Sequence, residues 1–245
     1  MVGTALAADG GLKIDWANMP TYNTIMAVAA GVGLLSLVLA GRELIRRPRD
    51  FNDSGWALLF GVLGVILTAT GFHMTVTWPL AAGGFAFDNI IFGETSLGFG
   101  VLLLAASLYL WKRGPAIAEL ERPVERLARI ATPVSIFAGF LGGALVAIGI
   151  AGVKYELFAA PAEEPISGEF AAYPLVEAIF MSGLLAIVGI GAIAFPFAMV
   201  SMARTGGVPL AAKISAWAWG IAGTVFALFG VMNFFTHIGL IVNTM

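Results

Sequence analysis

The chain has no cysteine, only two histidines, and 11% charged residues among its 245. Without a thiol there is no disulfide, no thiolate-held iron–sulfur cluster or zinc, no CxxCH haem attachment and no cysteine nucleophile. The 13 Lys+Arg are outnumbered by 15 Asp+Glu, for a formal net charge of -2. No basic surplus exists to hold a phosphate backbone, which excludes nucleic acid as a partner. Apolar residues take up the room instead: 59% of the chain is hydrophobic and the mean hydropathy is +0.92. That balance is foreign to a water-soluble globule.

A helix needs about 20 mostly apolar residues to cross a bilayer, and six runs qualify: 22–41, 55–80, 90–111, 133–152, 174–202 and 214–237. The sequence therefore predicts an all-α integral membrane bundle of six transmembrane helices, one domain over 1–245, with the lipid bilayer as its surroundings. Segment 1–20 carries Asp9 and Asp15 and lacks both a basic start and an apolar stretch. It reads as a short tail rather than a cleavable signal.

Orientation follows from the basic residues, which membrane insertion retains on the cytoplasmic side. Eleven of the 13 fall on one side: Arg42, Arg46, Arg47 and Arg49; Lys112, Arg113, Arg122, Arg126 and Arg129; and Arg204 with Lys213. Only Lys13 and Lys154 fall on the other, among Asp9, Asp15, Asp88, Glu94, Glu156, Glu163, Glu164, Glu169 and Glu177. The expectation is the plasma (inner) membrane of a bacterium or archaeon, with loops 42–54, 112–132 and 203–213 cytoplasmic and both termini outside. Within 112–130, Ile117, Leu120, Leu127 and Ile130 recur at near-helical spacing, with Glu119/Arg122 and Glu125/Arg129 placed to pair. This predicts a short amphipathic helix on the inner membrane face, interrupted at Pro123. The acidic outer loop, 153–173, is too polar for lipid and reads as a cap or docking surface.

Helix association in lipid depends on close backbone approach, so small residues at four-residue spacing mark contact faces. Gly139/Gly143/Ala147 and Ala216/Gly220/Thr224 are such ridges, and Gly189, Gly191 and Pro196 predict a kink in the fifth helix. Trp78, Phe85, Phe87, Trp217 and Trp219 read as interfacial belt or packing.

Ionisable groups at membrane depth are costly, and each is a functional candidate. Thr70, His73 and Thr77 share one helical face, as do Gly230, Asn233 and His237, so both polar stripes are expected to face the bundle. Glu94 and Glu177 open helices that run inward from the outer side, where the helix N-terminus favours negative charge. If the bundle brings them together, His73, Glu94, Glu177 and His237 form a two-imidazole, two-carboxylate cluster, with Asp88, Asn233 and Thr77 around it. Such a set suits a transition metal, or haem b through a histidine, or a coupled protonation site.

The run Gly-Phe-His-Met-Thr-Val-Thr-Trp-Pro-Leu (71–80), followed by Asp-Asn-Ile-Ile-Phe-Gly-Glu (88–94), resembles a family of small polytopic membrane proteins of unknown function from actinobacteria and some archaea. The resemblance implies a helical membrane protein and assigns no activity. Three readings are open: an accessory or scaffold subunit of a membrane assembly such as a respiratory complex, partnered by other subunits or by itself as a homo-oligomer; a metal- or haem-binding redox protein; and a proton- or ion-coupled transporter. Whether the chain is an enzyme is open as well.

Overall fold

The computed structural model describes residues 14–17, 19–77, 87–117 and 119–245. Lys13, Trp78, Phe85 and the last three residues of the second expected span lie outside the described residues. All regular structure among the described residues is helical: α1 (Asn23–Arg46), α2 (Asp53–Val76), α3 (Thr95–Arg113), α4 (Pro123–Lys154), α5 (Pro174–Thr205) and α6 (Leu210–Thr244). All six are long and apolar enough to cross a membrane, α3 together with the π-helical turn Asn89–Glu94 that precedes it. Large apolar residues face outward, Phe140 at 79% exposure and Trp111 at 77%, as a lipid-covered surface requires. The chain is a multi-pass membrane protein.

Local chemistry sets the helix ends. Asn52 accepts a hydrogen bond from the Gly55 amide at 3.0 Å and caps α2. Pro123 and Pro174 occupy first turns, where a missing N–H costs nothing. Gly206, at φ 67°, closes α5 in the left-handed conformation. The expected interfacial helix within 112–130 is therefore replaced by the end of α3, a 3-10 turn at Gly114–Ala116, and the opening turns of α4. Pro123 begins a helix there rather than interrupting one, its fixed φ and missing N–H suiting the first turn. Arg122 pairs with Glu125 at 3.4 Å.

The helices associate as pairs: α2 with α3, α4 with α5, α1 with α6, and α5 with α6. Glycine makes each of the first three seams. A Cβ on Gly142 would lie 2.6 Å from the Gly189 carbonyl oxygen, and one on Gly189 2.6 Å from the Gly142 carbonyl oxygen. Gly31 and Gly223 meet in the same reciprocal way, and Gly64 abuts Gly100. Backbones this close gain dispersion and Cα–H···O contacts that lipid cannot offer. The contact ridges differ from the expected ones. Gly143 and Gly220 have no neighbour near a Cβ position, and Ala147 and Thr224 are exposed. The seam runs instead through Gly142, Gly149 and Gly152 on α4, and through Gly223 and Gly230 on α6. Of the expected α4 ridge only Gly139 meets α5, because among so many small residues four-residue spacing alone does not select the contact face. Pro196 lies inside the continuous helix α5, its ring 3.0 Å from a Cβ position on Gly139.

The α5–α6 seam is held by polar side chains: Ser215 donates to the Gly191 carbonyl at 2.7 Å and the Trp219 indole to the Val188 carbonyl at 3.2 Å. Trp219 is core packing, whereas Trp217 faces outward. The apolar core divides accordingly, one cluster around Phe60, Leu67, Met74 and Leu103, the other around Leu145, Leu185, Trp219 and Phe226. Between them α3 and α4 meet only marginally.

Candidate functional site

The two ends of the bundle differ in charge: the acidic end carries the 155–173 loop, the basic end the three arginine-containing connections. Where the two core clusters part, a cavity of about 770 Å³ runs the length of the bundle. Leu102, Leu103, Tyr109, Leu127 and Leu141 wall its middle and its basic end. At the acidic end it meets a collar of Asp88, Glu164, Glu177, Asn233 and His237. Volume and build match the range of about 300–1,000 Å³ and the mostly apolar lining of small-molecule sites.

The loop from Tyr155 to Tyr173 shapes that collar. Phe158 packs edge-on to Phe87 and against Phe92, with ring centroids 6.3 and 6.1 Å apart. The Ala160 amide donates to the Glu177 carboxylate. Asn243, at the end of α6, donates to the Glu163 carbonyl at 2.7 Å. Glu156, Phe158 and Ile166 all sit at positive φ (51°, 72° and 68°), a conformation disfavoured for residues with a side chain. The acidic loop is thus a cap folded onto the cavity mouth, its strain balanced by these contacts.

Glu164 is the centre of the collar. His237 Nε2 lies 3.7 Å from its Oε1, and Glu164 and Glu177 are near enough for their charges to repel. Burial raises the Glu164 carboxyl above the usual range, while the Thr236 hydroxyl, buried without a well-formed hydrogen bond, partly opposes the shift. Asp88 is 8% exposed, and burial pushes its carboxyl up to about 7. Next to it, Asn89 donates to the backbone carbonyls of Met74 and of Thr77, the latter at 3.1 Å. These bonds tie the π-helical turn to the end of α2, and such turns recur at functional sites.

The expected four-residue cluster is divided. His237 and Glu177 line the cavity, with Asn233 and Asp88. His73 is exposed and its Nδ1 meets the Tyr22 hydroxyl at 2.7 Å; Glu94 and Thr77 are exposed too. The reason lies on α2, where Leu63, Gly64, Leu67, Gly71 and Met74 are the buried positions. The Thr70–His73–Thr77 stripe consequently faces away from the packed side, while the Gly230–Asn233–His237 stripe faces inward as expected. Among the described residues, no three His, Asp or Glu side chains come together in a way that would hold a metal ion.

Residues 19–239 match the family described as "Protein of unknown function (DUF981)". The chain belongs to that family. The match covers nearly the whole bundle and agrees with the resemblance read on 71–94. No curated protein and no solved structure matches.

The sequence did not single out Glu164, which stands among other loop acids, nor Asn89 and Thr236. The signal that was present was Pro161 and Pro165 bracketing Glu163 and Glu164, which marks a loop of fixed course. The cavity had no signal in the sequence, because it arises from two helices that fail to close.

Proposed function

We propose that this chain binds an amphipathic small molecule within the bilayer, its apolar body between α3, α4 and α5 and its polar end at the collar. One observation carries the reading: a cavity of about 770 Å³, mostly apolar along its length and with its carboxylates and imidazole at one end only. A water-filled pore would need polar groups throughout, and a lipid-like guest needs them at one end. The thin α3–α4 boundary supports entry from the membrane side. In this reading the chain sits in the plasma membrane with the acidic end outward, following its basic residues.

Among the three readings open from sequence, this lies nearest to the transporter, and the strained cap supports a carrier role in which the loop lifts to exchange the guest. The accessory-subunit reading draws on the exposed apolar faces, which a bilayer covers equally well. For haem b, the one histidine on the cavity is His237.

A neutral long-chain alcohol tests the reading. Titrated into the purified protein in nanodiscs, it should bind saturably at one site, and Ala138→Trp, which fills the cavity wall, should abolish that site. Non-saturable partitioning, identical in the variant, would remove the proposal.

A further inference from the structure

We propose that the collar receives a cationic head group, an ammonium or a comparable nitrogen centre with several N–H donors, so that the guest is a cationic amphiphile. This deepens the cavity reading and rests on it.

The first ground is the sign of the charge. Three carboxylates, Asp88, Glu164 and Glu177, line the cavity, and among the described residues no lysine or arginine does. Among the described residues the only ionisable nitrogen there is the His237 ring, beside Glu164, and one imidazole cannot balance three carboxylates. A phosphate or carboxylate head would meet only like charge, while the chain's basic residues gather at the far end of the bundle.

The second ground is a set of polar groups without partners. Asp88 and Asn233 are each 8% exposed, line the cavity, and have no side-chain hydrogen bond among the described residues. The Asn23 Oδ1, also on the cavity, is a buried acceptor with no partner among the described residues. A buried acceptor left unmade is costly, and a buried carboxylate more so. The Asp88 carboxylate and the side-chain oxygens of Asn23 and Asn233 lack donors, and an ammonium brings three with a compensating charge. A neutral carbonyl or ether head, as on a quinone, would add further acceptors to a site already rich in them.

The Asp88 carboxyl fits this role. Its ionisation near neutrality is the mark of a buried acid with no counter-charge among the described residues, and a cation at the collar would draw it back to the carboxylate form.

The test compares three amphiphiles of one chain length, an alkylamine, an alcohol and a carboxylate, titrated into the full chain in neutral-lipid nanodiscs. The amine should bind about tenfold or more tighter than the alcohol, with the carboxylate weakest. Asp88→Asn and Glu164→Gln should each remove most of the amine preference and leave alcohol binding in place. Glu169→Gln, an exposed acid of the same loop, should leave the preference intact. Equal binding of amine and alcohol, tighter binding of the carboxylate, or equal loss of preference in Glu169→Gln would overturn the cationic head and leave the cavity reading standing. Failure of all three amphiphiles to saturate would overturn both.

Discussion

The two sides of α4 are built on opposite terms. Toward α5 its contact positions are Gly142, Gly149 and Gly152, and the two backbones touch. Toward α3 the contact is carried by side chains: Leu141 reaches within 3.2 Å of a Cβ position on Gly98, and Phe137 within 3.5 Å. The first side leaves no room for a methyl group. The second leaves room for a guest. In lipid, where apolar side chains gain little by changing apolar neighbours, close backbone approach and hydrogen bonds across a seam fix two helices together. A helix boundary made of leucine and phenylalanine is held much more loosely. The difference teaches that this bundle is rigid along its glycine seams and adaptable where they stop, and the cavity lies along the adaptable side.

Adjacent glycines on α4 allow the largest test. Gly142→Val would drive a side chain into the Gly189 carbonyl and should cost about 4 kcal/mol or more, enough to lose monodisperse protein. Gly143→Val, with open space at its Cβ, should stay within about 0.5 kcal/mol. Thermal midpoints in detergent decide it, and equal effects of the two would break the contrast between seam and surface.

The loose side carries the buried acid, which makes a pH test. Asp88 has a folded pKa raised from 3.8 to about 7 by burial. Its protonated form is therefore the one the fold tolerates: stability should fall as pH rises from about 4 to about 7 and level off above. Glu164, shifted in the same direction by burial, adds to the slope. Asp88→Asn should flatten most of it and raise stability at pH 8 by on the order of 3 kcal/mol. A melting temperature that climbs with pH across this window, or an unchanged slope in the variant, would contradict the placement of Asp88.

The smallest effect is expected at the boundary itself. Leu141→Ala removes contact beside an existing cavity, so it should cost only about 1 kcal/mol while enlarging the space available to the guest. A loss as large as at Gly142, measured by the same thermal midpoint, would mean that α3 and α4 are tightly joined after all.

Much of the architecture is legible residue by residue. The spans show because about 20 apolar residues in a row have no other stable place, and the sided distribution of arginine shows because charge in a loop needs no tertiary partner. Asn233 and His237 were legible as an inward stripe. His73 and Thr77 were not, since a stripe has the same spacing whichever way the helix is turned. Gly142 and Gly143 are alike as letters, and only the rotation of α4 against α5 tells which one is buried.

By itself, then, the sequence determined six membrane helices, their pairing of charge with ends, and a short list of polar residues near the acidic end, because hydropathy and charge act locally. Only the tertiary structure decided that α3 and α4 part, that the acidic loop folds back as a cap, and that Asp88, Glu164, Glu177, Asn233 and His237 line one cavity. Those facts depend on helix rotation and on contacts between residues far apart in the chain, as between Glu164 and His237, and neither composition nor spacing encodes them.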